Sequence, residues 1–219
     1  MLNTFKRLIG KPKYNFLAKE FKDRSFKLLD IGGGSGDSAT EIMSFLPNCQ
    51  YYCIDMVDTK IYKTNELGNT IQYWQKNLEL LEFDDVPDDF FDAINMTHII
   101  EHLKNGDTVI EHMTRKMKRG GFIYIEYPGF NSTKLPSMPG TLNFFDDNTH
   151  VRIYSLSELY NVLMKVNCLP LSGGYRRNLI RLIFIPLLLP YKLVKTPHRI
   201  GYEFWDLLGF ANYVWARKR

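Results

Sequence analysis

A short, mostly apolar run, Phe26-Lys27-Leu28-Leu29-Asp30-Ile31, leads straight into Gly32-Gly33-Gly34-Ser35-Gly36-Asp37. The run reads as a buried parallel strand, and residues 38–46 behind the glycines carry a helical pattern stopped by Pro47. Glycines permit positive φ and close approach of a ligand to the backbone, and a helix N-terminus offers unpaired N–H groups. A strand, a glycine turn and a helix in that order are expected to bind a nucleotide-like ligand. The spacing then limits which one. A pyrophosphate-binding turn wants glycine at its first, third and sixth positions. Here, counting Gly32 as the first, the sixth position is Asp37, and a carboxylate there repels a pyrophosphate.

The rest of the chain reads as alternating strands and helices. Residues 50–55 form a second strand ending in Asp55, about twenty residues beyond the glycines, the separation of a ribose-binding carboxylate. Residues 70–78 read as a third strand and its turn, preceded by a short segment carrying Gly68-Asn69. An acidic turn at 84–89 feeds a fourth strand at 90–96, after which 97–103 begins a helix. A second helix over 107–118 puts Val109, Ile110, Met113 and Met117 on one stripe, and Gly120-Gly121 ends it. Residues 122–128 are a fifth strand closed by Pro128. A Pro-, Gly- and Asn-rich loop over 129–150 has the length of a lid or binding segment. Ser155 and Glu158 form a capping box for a helix over 155–166. Weak strand six (169–175) and strand seven (211–217) flank an insertion over 176–208.

Asp30 two places before Gly-x-Gly-x-Gly resembles motif I of class I S-adenosylmethionine-dependent methyltransferases. The ordered run that follows strengthens the resemblance: an aspartate-led strand four, Glu101-His102-Leu103, then Arg119-Gly120-Gly121 and a strand closed by proline. It covers roughly residues 26–128. The family implies a Rossmann-like, doubly wound α/β fold: a seven-stranded, mostly parallel sheet with an antiparallel last strand and helices on both faces. It also implies S-adenosylmethionine as cofactor, whose ammonium and sulfonium suit Asp30 and Asp37. Asp30, Gly32, Gly34 and Gly36 would cradle the methionine end and Asp55 the ribose hydroxyls. Asn77 stands where the family has the aspartate that reads the adenine amino group. Its amide oxygen can accept from that group, and the backbone N–H of Leu78 can bond a ring nitrogen.

Catalytic groups are expected where the strand C-termini open onto the cleft. His98 is placed best for a general base, with an ordinary pKa near 6.5; the alternative is a packing or capping histidine. His150 comes second, against a loop histidine bonded to backbone. Tyr127, with Glu126, could orient the acceptor. If 97–103 is helical, His98, Glu101 and His102 share a face, and two histidines with a carboxylate can bind a divalent metal. That set is similar to the Glu-x-x-Glu-His helix of metal-assisted O-methyltransferases, but His98 replaces the first Glu, so the reading adopted is a site without metal.

At 219 residues the length suits one domain spanning 1–219, with 1–25 as a basic helical lead-in whose faces are Phe5, Leu8, Ile9 and Phe16, Leu17, Phe21. Residues 1–27 hold eight Lys/Arg against two Asp/Glu, and residues 170–219 hold nine against two, so the net charge of +4 conceals two basic ends and an acidic middle. That distribution fits a solvated basic face or contact with an anionic surface. The three cysteines form no ligand pattern, and no signal-like apolar region follows Met1, so a cytoplasmic location is expected. The apolar stretch 179–195 is interrupted by Arg181, Pro186 and Pro190 and is too short for a bilayer span, which needs about 20 apolar residues. It reads as a cap on the substrate cleft or as a peripheral membrane contact. The expected activity is methyl transfer to a small acceptor, most plausibly an O-methylation of a sugar, quinone or lipid-linked intermediate. No base-reading motif points to nucleic acid. An NAD(P)-dependent oxidoreductase and a non-catalytic binding module are the alternatives.

Overall fold

The computed structural model describes residues 12–34, 37–58 and 72–219. The face built from Phe5, Leu8 and Ile9, the Gly68-Asn69 pair, Gly36 and the Asp37 side chain lie outside the described residues.

Seven strands form one sheet: β1 (Phe26–Ile31), β2 (Cys49–Asp55), β3 (Gln72–Gln75), β4 (Phe91–Thr97), β5 (Met117–Pro128), β6 (Cys168–Tyr175) and β7 (Ala211–Lys218), in the order β3-β2-β1-β4-β5-β7-β6. From β3 to β5 every pairing is parallel, whereas β7 runs antiparallel to both β5 and β6. Side chains alternate across the pleat. One face buries Leu29, Ile31, Ile94, Met96, Ile123 and Ile125 under α3 (Gly106–Lys116) and α4 (Leu156–Lys165), through Val109, Ile110, Met113, Leu159 and Leu163. The other buries Leu28, Ala93, Phe122 and Tyr124 under α1 (Pro12–Phe21) and α2 (Asp37–Phe45), through Leu17, Phe21, Ala39 and Ile42. The sheet is therefore doubly wound with an antiparallel last strand, as the family resemblance implies. Within the lead-in, Leu17 and Phe21 are buried and Phe16 stacks on Trp215 at 5.4 Å, so α1 closes the face near β7.

Two local expectations change. No α-helix forms over 97–103: Thr97 still belongs to the strand, His98 takes φ +56°, and only a 3-10 turn forms over Ile100–His102. A residue in the left-handed region cannot continue a right-handed helix. The next helix stops at Lys116, not 118, because Met117 is already extended (φ −84°, ψ 137°) and opens β5 opposite Phe91. The loop over 129–150 is tied within itself and to Trp205 of the insertion. Asp146 accepts the N–H groups of Leu142 (2.9 Å) and Asn143 (2.8 Å), and Trp205 Nε1–H donates to the Thr141 carbonyl at 2.5 Å. Ser155 caps α4 with Glu158 as its reciprocal partner, as the sequence indicates.

The insertion leaves the sheet at the C-terminal ends of the parallel strands. It folds as α5 (Leu179–Lys195), a 3-10 turn at Pro197–Arg199, and α6 (Gly201–Leu208). No described helix is long and apolar enough to cross a membrane.

Candidate active site

The glycine turn leaves β1 with Gly32 at φ +77° and Gly34 at φ +63°. A Cβ on Gly32 would collide with the side chain of Ile99, which covers the turn from the β4 side. A Cβ on Gly33 would fall 2.5 Å from Cys53 Sγ and 2.7 Å from the Tyr51 hydroxyl. A Cβ on Gly34 would meet nothing within 4 Å, so the turn presents bare backbone to open space there. The sequence reading passed over Gly33, whose value lies in packing on β2, across the sheet.

Asp30 faces inward, not onto that open side. It is 2% exposed and accepts hydrogen bonds from the Tyr51 hydroxyl (2.7 Å) and from Asn95 Nδ2. Asn95 Oδ1 in turn accepts from Thr97 Oγ1 (3.0 Å), which accepts from Lys13 Nζ (3.2 Å). Burial raises the Asp30 pKa against the opposing pull of Lys13 and the two hydrogen bonds. Asp30 thus supports the turn from beneath, held by side chains of the strands on either side of β1. Asp55 is the carboxylate that reaches the turn. Its Oδ2 accepts the Gly34 N–H at 2.7 Å and its Oδ1 the Val57 N–H at 2.9 Å. A carboxylate oxygen has two acceptor sites, so each keeps one for a ligand hydroxyl. Asn77 caps the 3-10 turn Leu78–Leu80, its Oδ1 accepting the Glu79 N–H at 3.0 Å, and Leu78 is buried with its side chain in the core.

Beyond Ile99 the ends of β4, β5 and β6 meet the insertion in a chain of charges. His98 Nδ1 lies 3.1 Å from Glu101 Oε1, and its Nε2 lies 3.3 Å from Glu126 Oε1. Tyr124 donates to Glu126 Oε2 at 2.7 Å, and Arg176 Nε stands 3.1 Å from Glu126 Oε1. Arg176 also pairs with Asp206 (3.1 Å), which is fully buried and accepts the Asn178 N–H at 3.0 Å. Burial by itself would lower the His98 pKa, but the hydrogen bonds and charges of Glu101 and Glu126 prevail and carry it to about 9. Burial would raise Glu126, but Arg176, His98 and Tyr124 hold it down at about 2. His98 is consequently an imidazolium with both N–H groups engaged, a donor and a positive charge at neutral pH. The expectation of an ordinary pKa near 6.5 at this position meets one held up by two carboxylates.

The other two expected catalytic side chains do not reach this pocket. Tyr127 follows Glu126 on β5, so the pleat turns it to the opposite face, where it is wholly buried against Tyr154 at 6.3 Å. His150 donates Nδ1–H to the Phe144 carbonyl at 2.6 Å and packs on Phe144 at 4.6 Å, the loop role weighed against catalysis. Of His98, Glu101 and His102, the metal alternative set aside in the sequence, His98 lies against Glu126 while His102 turns toward Thr149, Oγ1 to Nδ1 at 2.9 Å. Sequence reasoning also missed Arg176 and Asp206, which no local motif marks.

The antiparallel β7 inserted between β5 and β6 departs from the all-parallel order of dinucleotide-binding sheets. A family model described as a methyltransferase domain matches residues 4–171. The chain belongs to this methyltransferase family. Its fold is shared with the S-adenosylmethionine-dependent methyltransferase of Archaeoglobus fulgidus (TM-score 0.60, 18% identity, covering 94% of this chain and 91% of that one). A second such enzyme, from Mesorhizobium loti, superimposes with a TM-score of 0.63 at 14% identity over 94% and 96%. Among curated proteins, the ubiquinone/menaquinone biosynthesis C-methyltransferase UbiE of Vibrio parahaemolyticus is 24% identical over 106 residues, 45% of this chain and 40% of that enzyme. UbiE of Francisella tularensis is 26% identical over 121 residues, 52% and 47%. The chain thus spans under half the length of these curated relatives.

S-adenosylmethionine is the cofactor of this methyltransferase, and the residues present fit it. The bare backbone at Gly34 leaves room for a ligand, Asp55 offers acceptor sites for hydroxyls beside it, and the acidic surroundings suit an ammonium and a sulfonium. The same groups disfavour a pyrophosphate, which counts against the oxidoreductase alternative.

Proposed function

We propose that the chain methylates a hydroxyl of a small acceptor, a sugar, a quinone or a lipid-linked intermediate. The observation that carries this reading is the adjacency of two sets of groups. The open face at Gly34 and Asp55 adjoins the charged cluster of His98, Glu101 and Glu126, with Ile99 between them. The cofactor supplies an electrophilic methyl group on a sulfonium. Gly32 and Gly34 admit its methionine end, Asp55 its ribose, and Asn77 with the Leu78 backbone its adenine. Gly36 and Asp37 stay in this proposal on the motif alone. His98, fixed by two carboxylates, sets the polarity of the acceptor pocket. Orientation of reactants is worth about 7–11 kcal/mol in such reactions, so a rigid pocket supplies much of the acceleration. Calorimetric titration with S-adenosylhomocysteine and, separately, NAD tests the reading; binding of NAD alone would sink it. The likeness to UbiE favours a second reading, in which the acceptor atom is a carbon of a quinone-like ring. Product analysis by mass spectrometry with both acceptor types separates the two.

The insertion supports acceptors presented at a lipid surface. On α5, Ile183, Leu187, Tyr191 and Val194 recur at helical spacing and are 72%, 74%, 60% and 78% exposed. Lys192 and Lys195 lie in its last turn, Arg177 and Arg199 flank it, and the helix holds no acidic residue. An apolar stripe bordered by cations lies in the plane of an anionic membrane interface. Co-sedimentation with anionic vesicles is expected to fall in Ile183→Glu/Leu187→Glu, and equal recovery of both proteins would remove the membrane contact.

A further inference from the structure

We propose that Glu101, His102 and His150 bind one divalent first-row transition-metal ion. A carboxylate oxygen of Glu101 and one ring nitrogen from each histidine lie within 4.8 Å of one another. Glu101 is 1% exposed. Its Oε1 faces His98, while its Oε2 has no hydrogen-bond partner among the described residues. A buried carboxylate oxygen left without a donor is costly, and a cation beside it removes the cost.

Both histidines are already oriented as metal ligands are. His150 Nδ1 is held by the Phe144 carbonyl (2.6 Å), and His102 Nδ1 by Thr149 Oγ1 (2.9 Å) and the Thr149 carbonyl (3.3 Å). Those bonds fix each tautomer and leave Nε2 as a lone-pair donor. The rings sit with centroids 4.8 Å apart, close enough for one ion to reach both. The backbone joins the two halves of the site, because the Glu101 carbonyl accepts the N–H groups of Val151 (2.8 Å) and Arg152 (3.1 Å). Asp147 Oδ2, 3.8 Å from His150 Nε2, borders the same gap.

Two imidazoles and one carboxylate select zinc, manganese, iron or cobalt over magnesium or calcium, and three protein ligands leave positions open. The set adjoins the acceptor pocket through His98. If the proposed O-methylation holds, an acceptor hydroxyl bound there loses its proton to solvent more readily. Its oxygen then forms the O–CH3 bond as the CH3–S bond breaks, and the cofactor leaves as the neutral thioether.

The test is metal binding to chelator-stripped full chain, read without turnover. Titration with Co2+ is expected to give one ion per chain with a d–d absorption band, displaced by Zn2+. Affinity should drop about 100-fold in His150→Ala and in Glu101→Gln, and stay unchanged in His112→Ala. Zn2+ should raise the melting temperature of the parent and not of the variants, while far-ultraviolet circular dichroism establishes that each is folded. Co2+ bound without a d–d band, binding equal in all variants, or no binding at all would overturn the site. S-adenosylhomocysteine binding by the stripped protein is measured in parallel, so failure of the metal site and failure of the methyltransferase reading are told apart.

Discussion

Glu126 and Arg176 form a buried ion pair, Oε1 to Nε 3.1 Å, that ties the last turn of β5 to the root of the inserted helices. Each side chain is only 6% exposed, so neither charge is well hydrated outside the pair. Removing one partner strands the other, which costs about 3–5 kcal/mol in such settings. Arg176→Met is therefore expected to lower the urea midpoint sharply, and Arg176→Met/Glu126→Met to recover part of the loss.

The same cluster sets a pH window. Glu126 falls from an ordinary 4.5 to about 2 on folding, so its contribution is complete above pH 4.5 and is lost as pH drops toward 2. His98 rises from 6.5 to about 9, so its contribution is complete below pH 6.5 and is lost as pH climbs through 9. Stability from this cluster should peak between these limits. Melting temperatures across pH 3 to 10 check it, and the alkaline decline should flatten in His98→Gln.

Asp55 joins the turn to the proposed ribose site through its bond to Gly34 N–H. Asp55→Ala removes charge-assisted hydrogen bonds worth about 1.5–3 kcal/mol each. A loss of roughly 10- to 100-fold in S-adenosylhomocysteine affinity by calorimetry is expected. Unchanged affinity would place the ribose elsewhere.

Gly33 and Gly34 should respond differently to alanine. At Gly33 the new Cβ meets Cys53 and Tyr51, both in the core, so overpacking should cost about 1–3 kcal/mol in denaturant unfolding. At Gly34 the space is open, leaving a strain of about 1–2 kcal/mol from φ +63°. Its larger effect should be on cofactor affinity, since the methyl group occupies the ligand's side of the turn.

Asp206 holds the root of α5 through the Asn178 N–H and Arg176. Asp206→Ala should loosen the insertion before the sheet, seen as faster hydrogen exchange over residues 176–208 with β1 and β4 still protected.

The order of elements was legible in the sequence because each core strand is a short apolar run bounded by turn residues, and each helix carries its own stripe and caps. Phe26–Ile31, the Gly32–Gly34 turn, Asp55 at the end of β2 and the Ser155–Glu158 box are all local patterns, fixed by backbone geometry and by which side chains avoid water. The orientation of Asp30 was not legible, because Tyr51 and Asn95, which turn it inward, come from neighbouring strands. Nor was the protonation of His98, which depends on two carboxylates, one of them 28 residues away on β5. The left-handed turn at His98 ended a helix that the apolar pattern of 97–103 suggested, and the ring it carries lies between Glu101 and Glu126, a partner set that no local pattern marks. The sequence by itself determined the order of strands and helices, through periodicity and turn residues, and its ordered motifs carried the resemblance that implied the fold, the family and the cofactor. Only the tertiary structure decided which face each charged group presents, and with what charge. Burial and partner distance govern both, and neither is a property of a residue's neighbours along the chain.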